Sequence, residues 1–209
     1  MKMKLSILFA LAGLALASTQ IQAESLVDGS VDAGKARALT CTACHGVEGI
    51  SVSPVWPNLA GQNAPYILAQ LQAFKDGSRQ DPLMSGQAMA LTEEDMTNLA
   101  VYFESLPAAA QAIADESLLE RGQALYRGGN KEKEAAACLA CHGPTGRGNP
   151  AAKYPALNGQ HATYVSKQLN DYASGTRTTD GKTHIMQDIA ANLDKDDIAA
   201  LSSYVQGLK

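Results

Sequence analysis

Apolar residues recur at three- and four-residue intervals along most of this chain and β-branched alternation is scarce, so the pattern predicts an all-α fold. The two clearest segments follow capping signals. After Thr92-Glu93-Glu94-Asp95, the side chains of Met96, Leu99, Ala100, Phe103 and Leu106 share one helical face. After Asp194-Lys195-Asp196-Asp197, Ile198, Leu201, Val205 and Leu208 do the same. Earlier helices are expected at Val31 to Thr40 and Leu118 to Arg127, and further ones at Tyr66 to Phe74 and Tyr164 to Tyr172, each just after a Gly-Gln turn. Gly34 and Gly122 stand where a small residue lets the first and last helices of a unit cross closely.

Each element therefore occurs twice, and the residues match as well as the pattern. Shifted by 98 positions, Pro57-Asn58-Leu59-Ala60-Gly61-Gln62 meets Pro155-Ala156-Leu157-Asn158-Gly159-Gln160, Tyr66 meets Tyr164, Gln70-Leu71 meets Gln168-Leu169, and Gly77-Ser78-Arg79 meets Gly175-Thr176-Arg177. A four-residue insertion then makes the shift 102, where Met84 meets Met186, Leu99 meets Leu201 and Tyr102 meets Tyr204. Internal duplication accounts for this, with one domain at 24–106, a second at 116–209, and an alanine-rich linker, 107–115, that opens on a helix-stopping proline.

The amino terminus breaks the pattern. Lys2 and Lys4 precede an apolar run from Leu5 to Ala17 and a polar, small-residue exit from Ser18 to Ala23, the layout of an export signal with cleavage expected after Ala23. The run is short for a bilayer span; left uncleaved, it would instead anchor the protein loosely to the membrane. Export points to the periplasm.

Charge is unevenly spread. Residues 24–106 carry 4 basic and 10 acidic side chains, whereas 107–209 carry 11 of each. So acidic a chain is a poor ligand for nucleic acid; its uneven charge either gives a dipole that orients it on a charged protein partner or serves only to keep an exported protein soluble.

All four cysteines fall in two copies of one motif, Cys41-Thr42-Ala43-Cys44-His45 and Cys138-Leu139-Ala140-Cys141-His142. A Cys-x-x-Cys pair alone suits a redox disulfide or half a zinc site, but neither calls for a histidine immediately after it in both copies. Covalent haem c does: the two thiols add to the porphyrin vinyl groups, and the histidine comes under the iron as fifth ligand. Two haem c groups are therefore expected, held by Cys41, Cys44, Cys138 and Cys141, with His45 and His142 on the irons.

The sixth ligand separates an electron carrier from a haem enzyme. Met186 is the only methionine of the second half, and the repeat pairs it with Met84, so these two are the expected ligands, with Met89 as the fallback for Met84. Two further histidines remain. His184 is a competitor for the second iron, while His161, opposite Asn63 in the repeat, reads as a surface residue in the first turn of a helix. Pro57 and Pro155 are candidates to accept the second ring N–H of the ligating histidines. Arg79 and Arg177 are candidates to hold haem propionates, or are otherwise solvated side chains. A peroxidase would need an open iron position with an acid-base residue above it, for which spare histidines are scarce.

Tandem Cys-x-x-Cys-His units, each followed by Pro, Leu, Gly-Gln, Tyr and then Met before a terminal helix, resemble the cytochrome c4 family. The stretches Leu125-Tyr126-Arg127-Gly128-Gly129, Asn158-Gly159-Gln160-His161 and Ser202-Ser203-Tyr204-Val205-Gln206-Gly207-Leu208 are similar to that family's second domain. The resemblance implies two tandem class I cytochrome c domains about a pseudo-twofold axis, with His45 and Met84, and His142 and Met186, as axial pairs. It also implies carbonyls of Pro57 and Pro155 on the histidines. The function it implies is electron transfer without a small-molecule substrate, from a quinol-oxidising or soluble cytochrome donor to a membrane haem-copper oxidase, often of the cbb3 type. A fixed electron-transfer subunit of a dehydrogenase complex is the alternative. The stretch Gly77 to Leu83 is shorter than the family's usual loop before the first methionine.

Overall fold

The computed structural model describes residues 25–179 and 183–209; the expected export signal and its cleavage point lie outside the described residues. Among the described residues there are ten α-helices and no strands, with two isolated β-bridges. None of these helices is long and apolar enough to cross a membrane. In the first unit they are α1 (Val31–Arg37), α2 (Thr42–His45), α3 (Ala64–Asp76), α4 (Met84–Met89) and α5 (Glu93–Ser105). In the second they are α6 (Leu119–Gly128), α7 (Leu139–His142), α8 (Ala162–Ala173), α9 (Ile185–Ala191) and α10 (Lys195–Gln206).

The terminal helices begin where the capping signals stand. Thr92 and Asp95 form a reciprocal capping box on α5, and Asp194 and Asp197 form its counterpart on α10, each satisfying two backbone donors that the helix leaves open. The apolar faces behind them make the two cores. Met96, Leu99, Ala100 and Phe103 pack with Ile67 in one, and Leu201 and Val205 pack with Leu125 and Tyr126 in the other. Burying each of the larger side chains contributes roughly 1.5–3 kcal/mol.

The first and last helices of each unit cross at a glycine. A Cβ on Gly34 would lie 2.0 Å from the Asn98 carbonyl oxygen, and one on Gly122 would lie 2.4 Å from that of Ala200, so backbone meets backbone at both crossings. α1 stops at Arg37, earlier than the periodicity predicts, because Ala38–Thr40 tighten into a 3-10 turn that delivers Cys41.

The halves differ before the second cysteine motif. Gly122 stands sixteen residues before Cys138 where Gly34 stands seven before Cys41. The extra chain folds back on itself, Asn130 and Ala135 exchanging backbone hydrogen bonds of 2.8 and 2.9 Å. Lys133 fastens it to α10, pairing with Asp194 and, at 2.7 Å, with the buried Asp197, which also takes Arg121 at 2.7 Å.

The stretch 107–115 lies against both units. A Cβ on Gly61 would sit 2.7 Å from the Cβ of Ala108, and one on Gly159 would sit 1.9 Å from the Ala109 carbonyl oxygen. Further along, Gln111 donates to Gly159 O at 2.6 Å and the Asp115 N–H donates to Ser203 Oγ at 2.7 Å.

Polar residues matched by the repeat join the units. Gln160 exchanges two hydrogen bonds with the backbone of Asn58, both 2.8 Å, and Gln62 exchanges two with that of Ala156, at 2.8 and 2.9 Å. Under the 98-residue shift each pair maps onto the other, which is how an interface about a twofold axis is built. His161 belongs to it: instead of lying at the surface it is buried, with Nε2 2.9 Å from the Ser51 carbonyl oxygen of the other unit.

Candidate haem sites

Each cysteine motif is a single helical turn, which sets its two sulfurs three residues apart on one side and its histidine directly behind them. All four thiols are free and half-buried, and Cys41 and Cys138 pack against the two apolar cores. Burial raises the Cys41 thiol and pushes that of Cys138 up to about 11, so both sulfurs face surroundings suited to an apolar ring edge.

The loop after each turn places an acceptor for the histidine. Gly49, at φ +70°, accepts from the N–H groups of Leu59 and Ala60 at 2.7 and 3.0 Å, and Gly146, at φ +68°, accepts from Leu157 and Asn158 at 2.6 and 3.2 Å. Those bonds fold the chain back so that Pro57 O lies 2.9 Å from His45 Nδ1 and Pro155 O lies 3.0 Å from His142 Nδ1. With Nδ1–H donating, the Nε2 lone pair is left for a metal and the ring is fixed in orientation. Both imidazoles are buried; desolvation lowers their pKa against the opposing pull of the proline carbonyl, favouring the neutral, ligating form.

Met84 opens α4, its backbone N–H donating to Asp81 Oδ1 at 3.0 Å, and Met186 is the second residue of α9; both are half-buried. Met89, at the far end of α4, is exposed. His184 is exposed too, its Nδ1 2.7 Å from Gln187 Oε1. Among the described residues no three His, Cys, Asp or Glu side chains converge, so the two cysteine pairs do not build one shared metal centre.

Arg79 and Arg177 are buried rather than solvated. Arg79 donates to Gln70 Oε1 in its own unit at 2.8 Å, and across the interface to Tyr164 Oη at 3.0 Å and Gln168 Oε1 at 2.8 Å. Arg177 mirrors it, donating to Gln168 at 2.8 Å, Tyr66 Oη at 2.8 Å and Gln70 at 2.9 Å. Each guanidinium also lies over a ring of its own unit, 4.5 Å from the centroid of Phe74 or 4.6 Å from that of Tyr172. Burial opposes ionisation of Tyr66, yet the charges of Arg177 and Arg79 outweigh it and hold the phenol below its ordinary pKa. Among the described residues no carboxylate pairs with either arginine. Two buried cations with only neutral acceptors are costly unless an anionic group joins them. The carboxylates of a haem fit that need.

Sequence reasoning placed the attachment and axial candidates but missed the joining roles of Gln62, Gln160, Gln70, Gln168, Tyr66 and Tyr164. The available signal was their identity under the repeat, since polar residues that recur at matched positions are seldom idle surface.

The cytochrome c family model matches residues 31–107 and 119–209. The chain is similar to cytochrome c4 of Pseudomonas aeruginosa, 48% identical over 180 residues that cover 86% of this chain and 89% of that protein. It is 34% identical over 206 residues to a thiosulfate dehydrogenase electron acceptor of Stutzerimonas stutzeri, covering 95% of this chain and 94% of the relative. The crystal structure of reduced recombinant cytochrome c4 from Pseudomonas stutzeri superposes with a TM-score of 0.84 at 43% identity, covering 87% of this chain and all of that one.

Proposed function

The chain belongs to the cytochrome c4 family, with two covalently bound haem c groups, and on that premise we propose that it is a periplasmic electron shuttle of a respiratory chain that delivers to a membrane haem-copper terminal oxidase. The observation that carries this reading is the doubled histidine geometry, Nδ1 to Pro57 O at 2.9 Å and to Pro155 O at 3.0 Å, on two units locked into one body. Two fixed, similar sites side by side suit passage of electrons.

In this reading the haems, when bound, supply two one-electron iron couples. Cys41, Cys44, Cys138 and Cys141 would tether them, His45 with Met84 and His142 with Met186 would ligate the irons, and the carbonyls of Pro57 and Pro155 would hold the imidazoles in orientation. Arg79 and Arg177 take the propionates and, through Gln70 and Gln168, connect the two sites. The interface and the stretch 107–115 keep the spacing constant. Domain limits of 24–106 and 116–209, and an export signal cleaved after Ala23, complete the reading.

A second reading rests on one relative's name: the similar electron acceptor of thiosulfate dehydrogenase points to a dehydrogenase as donor. Oxygen uptake by oxidase-containing membranes, driven by the pre-reduced protein, tests the first reading. Cyanide-sensitive uptake at rates saturating in the protein is expected. No uptake, beside rapid reduction by a dehydrogenase that then fails to release the protein, would establish the second instead.

A further inference from the structure

The two units bury the same elements yet present different surfaces beside their attachment turns. Among the described residues every exposed large apolar side chain belongs to the first unit. Four of them, Val47, Ile50, Val52 and Val55, lie in the ten residues after α2, and Leu39 lies just before it; Val47 is 81% exposed, Val52 98% and Leu39 74%. Counted from the histidine of each attachment turn, Val47 and Ile50 meet Pro144 and Arg147; counted back from Pro57 and Pro155, Val52 and Val55 meet Pro150 and Lys153; and Ala136 precedes Cys138 as Leu39 precedes Cys41. Both units need the same apolar lining for the same cofactor, so side chains present in only one of them are not explained by that lining. Nor is Leu39's surroundings repeated, because the second unit carries its fastened insertion at that place.

The charge around these residues is one-sided. Glu48 stands exposed among them, and the first half holds 10 acidic against 4 basic side chains. Three of those four bases are engaged: Arg37 pairs with Asp95 at 3.2 Å, Lys75 donates to the Leu91 carbonyl, and Arg79 is buried in the interface cluster. A bilayer of anionic lipid is repelled by such a surface. A protein that offers a small apolar patch ringed by lysine and arginine fits it, since apolar contact supplies affinity and the opposite charges steer the encounter.

We propose that Leu39, Val47, Ile50, Val52 and Val55 form the docking face through which this protein exchanges electrons, and that its partner there is a redox protein with a basic rim. The second unit, with Arg147 and Lys153 at the matching positions, refuses that partner by like charge. This rests on the electron-carrier reading.

The test is stopped-flow oxidation of the fully reduced holoprotein by ferric mitochondrial cytochrome c, a basic redox protein, with ferricyanide as a small oxidant beside it. The triple variant Val47→Ser, Val52→Ser, Val55→Ser is compared with wild type and with Lys153→Ser. The expected result is a loss of about tenfold in the second-order rate for the triple variant, equivalent to ~1.4 kcal/mol. Its potentials and its ferricyanide rate stay unchanged, Lys153→Ser stays at the wild-type rate, and the wild-type rate falls with added salt. An unchanged rate in the triple variant, or a wild type that reacts with ferricyanide but not with the basic protein, overturns the proposal. So do self-association of the wild type that the triple variant abolishes, and vesicle binding that it abolishes. Failure of the wild type to react with either oxidant would overturn the carrier reading itself.

Discussion

Asn58 and Gln160 exchange two hydrogen bonds of 2.8 Å across the unit boundary, the Asn58 N–H donating to Gln160 Oε1 and Gln160 Nε2 donating back to Asn58 O. All these atoms are buried, so Gln160→Ala leaves a donor and an acceptor without water or partner. A cost of about 1–3 kcal/mol is expected. Because Gln62 makes the same pair with Ala156, Gln62→Ala is expected to cost a similar amount, and the double variant to separate the units' unfolding transitions. Calorimetry of the holoprotein checks this: one transition for wild type, two for the double variant.

Met84→Ala is expected to lower the potential of one haem by on the order of 100 mV and to open that iron to carbon monoxide, with the other haem untouched. Met89→Ala, at an exposed side chain, is expected to change neither. A spectroelectrochemical titration of the two variants distinguishes the methionines, and normal potentials in Met84→Ala would sink the assignment.

Arg177→Gln removes a cation that reaches Gln70 and Tyr66 of the first unit as well as Gln168 of its own. Positive charge disfavours the ferric state, so its loss is expected to lower both potentials, by on the order of tens of millivolts. A shift confined to the second haem would show that the cluster does not connect the sites.

The acid limb of stability is expected to rest most on the second unit, although Asp76 and Asp95 of the first are also held below the ordinary carboxylate range. Lys133 hydrogen-bonds Asp194 and, with backbone and Arg121 contributions, lowers its pKa from the ordinary 3.8 to about 2; Asp197 is also lowered, Lys133 and Arg121 outweighing the effect of burial. A depressed folded pKa contributes stability that is complete above the unfolded value and lost as pH falls through the folded one. Thermal midpoints are therefore expected to drop between about pH 4 and pH 2. Lys133→Met, measured over the same range, should flatten that drop.

Gly34→Ala drives a Cβ to within 2.0 Å of the Asn98 carbonyl oxygen, which cannot move without α5. A loss of about 2–4 kcal/mol is expected from urea midpoints. Gly86→Ala, in α4 with nothing within 4 Å of the added Cβ, is expected to be neutral or slightly stabilising.

What was legible in the sequence was what local rules govern. The cysteine turns, the capping boxes at Thr92 and Asp194, and the apolar faces of α5 and α10 each follow from spacing alone, and the repeat singled out Met84 and Met186 among six methionines. Burial of polar residues was not legible. Helical periodicity says that His161, Arg79 and Arg177 are polar, but only the second unit, folded against the first, decides that they are covered. The insertion before Cys138 escapes local rules for a related reason: nothing in its own stretch signals that Lys133 is anchored by an aspartate sixty-four residues away.

The most direct test of the account is the optical spectrum of the dithionite-reduced holoprotein before and after carbon monoxide. With Met84 and Met186 on the irons, both haems are six-coordinate and the spectrum is expected to stay unchanged at neutral pH. Rapid carbon monoxide binding at either haem would contradict the account, because it would mean an open iron and a site built for a substrate rather than for passing electrons.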